Sequence, residues 1–226
     1  MVLKVGFSPY TYARAAVMKS KLLKKEDYSK LLKMGYQESI RYLQDIDYKE
    51  WENTDLGSPT LVEVAMNENL LRAASKLYRI SDKNMKQVIM TYLLRYELEN
   101  IKLIMRSKIA KADPQDIEKL WYRSFLHYKE HFLKELLSKE DLHSLIKSLP
   151  FLDKKFTSTN LFDVENAIDK HYINVLYLFV QDLRGQGKQL AEFILHEIDA
   201  ANIRTILSLM KDHRTEMGKY LVHSSD

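Results

Sequence analysis

The sequence predicts an all-α protein, and three observations support that prediction. Glycine and proline are scarce, with six Gly and four Pro in 226 residues, whereas average usage of the two together is roughly 12%. β-Sandwiches, barrels and tightly turned α/β folds need these residues at many corners, so the shortage argues against them. Apolar residues recur throughout with the period of an amphipathic helix. No segment alternates apolar and polar residues for long enough to predict a strand.

The prolines mark the breaks between the predicted helices. Pro9 precedes a helix that starts at Tyr10, and the segment 57–60 interrupts the next helical stretch. Asp113 and Pro114 predict a helix start, with the aspartate as N-cap and the proline at the first helical position. Pro150 lies in a break before the turn-rich segment 157–160. Between these marks, helical apolar stripes include Leu22, Leu31, Ile40, Leu43, Val88, Tyr92, Tyr96, Ile101, Met105, Leu120, Phe132, Leu136, Ile168, Tyr172, Leu176, Ile194, Ile203, Leu207 and Met210.

Composition excludes several classes of protein. The chain is 46% hydrophobic and 29% charged, which suits a soluble protein with a sizeable core. It has no cysteine, so disulfides, thiol nucleophiles, iron–sulfur clusters and cysteine zinc sites are excluded. A net charge of +4 is too mild to predict a nucleic-acid partner. The most apolar stretch, 173–180, is far shorter than the roughly 20 residues of a membrane span, so a membrane role is expected to be peripheral.

An internal repeat organises the chain. An offset of 102 residues places Val62, Glu63 and Ala65 on identical residues at 164, 165 and 167, and about nine of 47 ungapped positions match in this way. Asn100 falls on Asn202 at the same offset, a polar match that amphipathic periodicity does not require. The sequence therefore predicts two tandem helical-bundle domains, a first repeat at 1–112 and a second at 113–226.

Each repeat carries an acid, an amide and a cation near the end of its last helix. The first set is Glu97, Asn100 and Arg106, and the second is Asp199, Asn202 and Arg204. A spacing of three places the acid and the amide on one helix face. An asparagine among apolar neighbours can bond the backbone of a neighbouring helix and fix its register. We expect this structural role in preference to a ligand site.

Two other patterns indicate no cofactor or metal. His127 and His131 share a helix face, but Tyr128 stands where a zinc protease has glutamate, so a polar surface is favoured over a metal site. The segment 184–188 has two glycines and a lysine without the spacing of a phosphate loop, and no strand is predicted before it. It is expected to be an interhelical turn in which Gly185 or Gly187 ends the preceding helix. No catalytic residue is predicted.

The N-terminal region is the most basic part of the chain. Between residues 10 and 34, seven Lys and Arg side chains stand against Glu26 and Asp27. We expect Lys19, Lys21, Lys24 and Lys25 to face either anionic lipid headgroups or the polar loops of a membrane ring. A solvated lysine face is an equally favoured alternative.

Four segments resemble one known family. Residues 10–23, with Tyr12 and Arg14, are similar to the aromatic, Ala/Arg-rich first helix of the C subunit of archaeal-type (A-type) and V-type ATP synthases, the family that includes the vacuolar ATPase d subunit. Residues 92–106 resemble its acid-x-x-Asn-Ile helix ending in arginine. Residues 162–172 and 193–211 resemble the start and end of its second repeat. The resemblance covers nearly the whole chain.

That resemblance implies a fold and a role. Family members are all-helical, with three similar domains in a funnel that seats the rotor shaft on the membrane rotor ring, and they bind no nucleotide. A third repeat is expected after Met210, and this sequence stops at Asp226. A truncated chain, an incomplete gene product and a shortened variant are the alternatives; two repeats would form an open arc. The sequence also departs from a strict repeat, because Ser208 stands opposite Arg106.

The function predicted from the resemblance is that of a non-catalytic central-stalk protein. It would couple the rotor shaft to the ion-translocating ring during ATP synthesis or proton or sodium transport. The expected partners are the shaft subunits and the ring, with one copy per complex and a monomer in isolation. The expected location is the cytoplasmic face of the membrane, without a transmembrane span. A helical scaffold for soluble partners is the alternative, and an enzyme with a site in a helical concavity is a third class.

Overall fold

The computed structural model describes residues 3–6, 8–46, 59–122, 130–153, 155–211, 218 and 221. Over these residues the regular elements are helices apart from two three-residue strands, which confirms the all-α prediction. The elements are β1 (Leu3–Val5), α1 (Pro9–Ser20), α2 (Lys25–Leu31), α3 (Tyr36–Ile46), α4 (Pro59–Ile80), α5 (Lys83–Ala110), α6 (Pro114–Leu120), α7 (Glu130–Ser138), α8 (Leu142–Lys147), α9 (Leu161–Asp182), β2 (Leu183–Gly185) and α10 (Gly187–Lys211).

The chain divides into two compact units. Residues 7–81 form one unit, and residues 1–6 together with 82–226 form the other. The shorter unit is therefore inserted in sequence after the first strand of the longer one. These units are defined by compactness, whereas the boundary predicted after residue 112 separates two sequence repeats. The two boundaries need not coincide, so the repeat boundary stays a prediction.

Helix bounds recur at the offset found in the sequence. α4 and α9 each contain 22 residues and coincide end to end after a shift of 102. α5 and α10, of 28 and 25 residues, agree to within two residues at either end. Because helix ends depend on capping and turn residues as well as on apolar period, this agreement is a second observation in favour of an internal duplication.

Side chains at helix starts explain where several helices of the longer unit begin. Asp82 accepts a hydrogen bond from the backbone N–H of Met85 at the start of α5. Asp113 accepts one from the N–H of Gln115, and Pro114 is the first residue of α6, so the predicted helix start is confirmed. Such caps satisfy N–H groups that have no partner within the helix, and each stabilises the helix by about 1 kcal/mol.

The core of the longer unit surrounds α5. Leu98, Ile101 and Met105 of this helix are at most 2% exposed. They belong to one buried cluster with residues from the four following helices, including Ile117, Leu136, Leu145, Val164 and Ile168. α5 is thus enclosed by α6–α9.

The shorter unit has a smaller core of its own. Ile40 and Leu43 of α3 are buried with Ala65 of α4, and Leu23 and Leu31 pack against them. The hydroxyl of Thr11 donates a 2.9 Å hydrogen bond to the carbonyl of Ile80, which ties α1 to the end of α4.

The sequence-based prediction of no strands is wrong at two short places. β1 and β2 pair in parallel, with Leu3 opposite Leu183 and both side chains 2% exposed. The amide of Asn84 donates a 2.9 Å bond to the carbonyl of Lys4 and so holds β1 on α5. A run of three residues is too short to show the alternation of apolar and polar residues that identifies a strand in a sequence. The two strands also lie 180 residues apart in the chain, so their pairing is not evident from neighbouring residues.

The segment 184–188 is therefore not a simple interhelical turn. β2 occupies its first two positions, and Gly185 at its end has a φ of +67°, a conformation that glycine adopts without strain. A Cβ at Gly187 would lie 3.2 Å from Cγ2 of Val5, so glycine also permits the close approach of β1 to the start of α10.

Candidate functional site

Asn100, the amide of the motif identified in the first repeat, forms hydrogen bonds to main chain that lies beyond the next helix, α6. Asn100 is 1% exposed. Its Nδ2 donates to the carbonyl of Tyr122 at 2.7 Å, and its Oδ1 accepts from the N–H of the same residue at 2.7 Å. Both polar groups of the side chain are thereby satisfied by one backbone residue. This pairing fixes the path of the chain just after α6.

The acid and the cation of the first repeat lie in different surroundings. Glu97, one turn before Asn100, is 1% exposed and lies within the packed part of α5. Arg106, two turns after Asn100, is largely exposed and reaches α9. Its Nε and Nη2 lie 2.6 and 3.1 Å from the two carboxylate oxygens of Glu165, a bidentate pair. The hydrogen bond to Glu165 raises the pKa of Arg106 further above its ordinary value.

A second ion pair joins the same two helices closer to the core. The side chain of Lys102 is 6% exposed, and its Nζ lies 2.5 Å from Asp169 of α9 and 2.9 Å from Glu99 of α5. Burial lowers the pKa of Lys102, but the two carboxylates more than offset that effect and raise it above its ordinary value. A buried lysine needs such partners, because an isolated buried charge is costly. The pairs at Lys102 and Arg106 together set the register of α5 against α9.

A third cluster, which sequence reasoning missed, joins α5 to α9 and α10. The guanidinium of Arg95 lies 4.6 Å from the ring centre of Tyr92 and donates a 3.3 Å bond to its hydroxyl. That hydroxyl donates to Glu197 of α10 at 3.3 Å. The hydroxyl of Tyr172 donates to the carbonyl of Tyr92 at 2.9 Å, and burial raises the pKa of Tyr172. Aromatic residues at 92 and 96 with an arginine between them were the available signal.

The residues of the second repeat occupy less enclosed positions on α10. Asn202 is 9% exposed, close to the burial of its counterpart Asn100. Asp199 is half-buried, whereas Arg204 and Ser208 are exposed. The two sequence motifs are therefore similar in their amides and differ in the surroundings of their charges.

The predicted basic residues lie on the surface of the shorter unit. Tyr12 is 68% exposed on α1, and Arg14 and Lys19 on the same helix are also exposed. Lys21, Lys24 and Lys25, at the α1–α2 connection, are exposed as well. Leu22 and Leu32 are 66% and 88% exposed among these lysines. We call this set, residues 12–33 of α1, α2, their connection and the two residues after α2, the basic–apolar surface.

With this geometry established, comparison with known proteins decides the family. The family model described as "ATP synthase (C/AC39) subunit" matches residues 11–224, nearly the entire chain. The chain belongs to the C/AC39 family.

Curated relatives agree with the C/AC39 assignment, and each is the C subunit of an A-type ATP synthase. The relative from Methanosarcina acetivorans is 36% identical over 220 residues, covering 92% of this chain and 61% of the relative. That from Archaeoglobus fulgidus is 34% identical over 216 residues, covering 91% and 62%. That from Haloferax volcanii is 27% identical over 223 residues, covering 91% and 63%. The chain spans about three fifths of the length of these C/AC39 relatives.

Membrane spans and metal clusters are both lacking in the described part of this C/AC39 chain. None of the helices placed by the structure is both long and apolar enough to cross a membrane. In the described ranges, no group of three or more His, Asp or Glu side chains is arranged to hold a metal ion. Of the histidine pair considered from the sequence, His131 is exposed on α7 and His127 lies outside the described residues.

Proposed function

We propose that this chain is a non-catalytic central-stalk component of a rotary ATP synthase, coupling the rotor shaft to the membrane ion-translocating ring. The observation that carries the proposal is the family match over residues 11–224, together with relatives named as C subunits of A-type ATP synthases. In this role the chain acts at the cytoplasmic face of the membrane, in one copy per complex, and carries no cofactor.

A torque-transmitting protein has to resist relative movement of its helices, and the contacts of α5 support this role. The buried cluster fixes α5 against α6–α9 through apolar packing, and each fully buried large side chain contributes about 1.5–3 kcal/mol. Apolar packing alone allows sliding by a turn, because apolar side chains recur along the helix. The pairs Lys102–Asp169 and Arg106–Glu165 oppose such a slip, since it would separate both sets of charges.

The basic–apolar surface is the part of the chain that we assign to the membrane side. Four exposed lysines, Lys19, Lys21, Lys24 and Lys25, supply positive charge beside exposed leucine and tyrosine side chains. Complementary charge orients two partners as they meet and raises their association rate more than it raises affinity. Polar ring loops with acidic residues are the partner that this surface suits, and binding through it is expected to weaken as salt rises.

Affinity capture from membranes of the cells that make this protein tests the proposal. The bait carries a C-terminal tag, because residues 3–5 near the N-terminus form a strand. Recovery of the shaft and ring proteins by mass spectrometry is the expected result. Recovery of unrelated soluble proteins alone would overturn the proposal and favour a general helical scaffold.

A pair of matched variants tests the basic–apolar surface separately. One variant replaces Lys19, Lys21, Lys24 and Lys25 with glutamine, and the control replaces four other exposed lysines, Lys76, Lys83, Lys147 and Lys188. The first is expected to recover at least about fivefold less ring protein at low salt, with shaft recovery unchanged. Equal loss in both variants would contradict the assignment of this surface.

A further inference from the structure

The cluster around Arg95 joins three helices and is partly open to solvent. Tyr92, Arg95 and Tyr96 of α5 are half-buried, as are Tyr172 of α9 and Glu197 of α10. The guanidinium of Arg95 lies 4.6 Å from the ring centre of Tyr92 and 5.3 Å from that of Tyr96. Cation–π attraction to the two rings fixes the position of the guanidinium. This arginine is therefore held in place and is still accessible from solvent.

Arg95 uses little of its hydrogen-bonding capacity within the described part of the chain. A guanidinium has five N–H donors. Nη2 donates to the hydroxyl of Tyr92 at 3.3 Å, and Arg95 has no second hydrogen bond among the residues that the structure describes. None of their carboxylate oxygens lies within 4 Å of it, and Glu197 is linked to it through the same hydroxyl, at 3.3 Å. Arg95 can therefore bind an acceptor from outside the chain.

Two other cations of α5 differ from Arg95 in this respect. Lys102 pairs with Asp169, and Arg106 pairs with Glu165, both of which are carboxylates of α9. A cation that is partly removed from water is normally paired, because desolvation without a partner is costly. Of these three cations, Arg95 is the one that lacks a carboxylate.

The internal repeat indicates that packing does not require this arrangement. At the offset of 102 residues, Tyr92 and Tyr96 correspond to Ile194 and Ile198 of α10. These isoleucines are 0% and 3% exposed. Aliphatic side chains thus fill the corresponding core positions of α10, whereas α5 has two tyrosine rings that flank the guanidinium of Arg95.

We propose that Arg95 is a binding site for a carboxylate group, which its guanidinium binds through two parallel N–H···O hydrogen bonds. This bidentate pairing matches the planar geometry of both groups. Arg95 is the one cation among the five residues of the cluster, so it neutralises one negative charge. A phosphate, with close to two charges at neutral pH, would keep an uncompensated charge beside Glu197. The carboxylate belongs to a free monocarboxylate anion or to an acidic side chain of a partner protein.

Nuclear magnetic resonance of the arginine side chains tests this site in the full chain. The Nε–H resonance of Arg95 is followed at constant ionic strength during titration with acetate, with inorganic phosphate and with the peptide acetyl-Gly-Glu-Gly-amide, whose one carboxylate imitates that of a partner protein. Acetate or the peptide is expected to give saturable shifts, with at least about fivefold higher affinity than phosphate. Tighter binding of the peptide indicates a partner side chain as the source, and equal or tighter binding of acetate indicates a free anion.

Matched variants, followed through the backbone amide resonance of Tyr96, show whether the guanidinium carries the binding. Arg95→Gln is expected to weaken binding of the carboxylate at least about tenfold. Arg95→Lys is expected to lose less, because it keeps the charge but not the two parallel donors. Arg204→Gln, at an exposed arginine of α10, is the control and should leave the affinity unchanged. Glu197→Gln is expected to reduce the preference for acetate over phosphate, because it removes the neighbouring negative charge.

Three results would overturn the proposal. The first is an Arg95 resonance that neither acetate nor the peptide shifts. The second is equal affinity in the wild type and Arg95→Gln, because binding would then occur elsewhere on the chain. The third is phosphate binding as tightly as either carboxylate. Urea unfolding checks that each variant is folded, and if Arg95→Gln is not, Arg95→Lys compared with Arg204→Lys gives the same comparison.

Discussion

α5 and α10 are the two long helices that the internal repeat relates, and they differ in how much of their surface is covered. α5 is enclosed on both faces, with Ile101 and Met105 fully buried. In α10 the equivalent residues, Ile203 and Leu207, are more than half exposed. Both helices have an apolar stripe, so the difference arises from the helices that follow α5 rather than from the stripe itself. In this chain a helix becomes a core element when the next group of helices packs on it.

The largest difference in stability between the two helices is expected from a substitution at Ile101. Ile101→Ala is expected to lower the free energy of unfolding by about 2–5 kcal/mol, because it leaves a cavity in a fully buried site. The matched change Ile203→Ala on the exposed face of α10 is expected to cost less than about 0.5 kcal/mol. Urea unfolding followed by circular dichroism measures both. Similar losses at the two positions would show that α10 is as enclosed as α5.

Asn100 should give the next largest effect. Asn100→Ala removes both bonds to the backbone of Tyr122 and leaves those groups without their partner, at a cost of about 1–3 kcal/mol. Asn100→Asp is expected to be at least as destabilising as the alanine variant in urea unfolding at neutral pH, because it places a carboxylate in a site that is 1% exposed and sets it against the carbonyl of Tyr122. An aspartate variant as stable as the wild type would mean that the donated bond contributes nothing.

Stability at alkaline pH tests the ion pair that the buried Lys102 forms with Asp169. The pKa of Lys102 is raised in the folded chain by Asp169 and Glu99, so its stabilising contribution is complete below the ordinary lysine value of about 10.4. That contribution is lost as pH rises through the higher folded pKa. Unfolding free energies measured between about pH 9 and pH 12 should therefore fall less steeply for Lys102→Met than for the wild type. If the unfolding free energies of the two proteins fell in parallel with pH, the charge of Lys102 would not stabilise the folded chain.

The smallest effect is expected at Arg106. Because this side chain is 52% exposed, Arg106→Gln should cost only about 0.2–1 kcal/mol, and less at high salt. Its more sensitive readout is amide hydrogen exchange in α9, which should become faster near Glu165. Arg204→Gln on α10 is the control and should leave exchange in α9 unchanged.

The sequence was sufficient for the features that local chemistry determines. The apolar period, the scarcity of glycine and proline, and the helix start at Asp113 and Pro114 all depend on neighbouring residues. The offset of 102 residues was also evident in the sequence, and the structure shows that it relates helices with matching bounds. For Asn100 the sequence predicted a bond to the backbone of a neighbouring helix; its partner in the structure is the backbone of Tyr122, which lies beyond the end of α6.

Features that depend on distant pairing were not predictable in this way. β1 and β2 have three residues each, and they are strands only because they pair with each other. Arg106 was identified as a motif residue, but its ion pair with Glu165 was not predicted, because nothing local connects positions 59 residues apart. The cluster around Arg95 was missed for the same reason, because it joins α5 to Tyr172 and Glu197, which are also distant in the sequence. The exposure of Ile203 and Leu207 on α10 was not predicted, because their spacing is that of an ordinary amphipathic helix.

The discontinuity of the longer unit has a consequence for the order in which the chain folds during synthesis. Residues 7–81 form a contiguous unit and can fold as soon as they leave the ribosome. β1 leaves before them, yet its pairing partner at Leu183–Gly185 is made much later. The first strand must therefore wait while most of the chain is synthesised, and contacts of such long range form slowly. An N-terminal fusion that engages residues 3–5 would compete with this late step, whereas a C-terminal fusion would not.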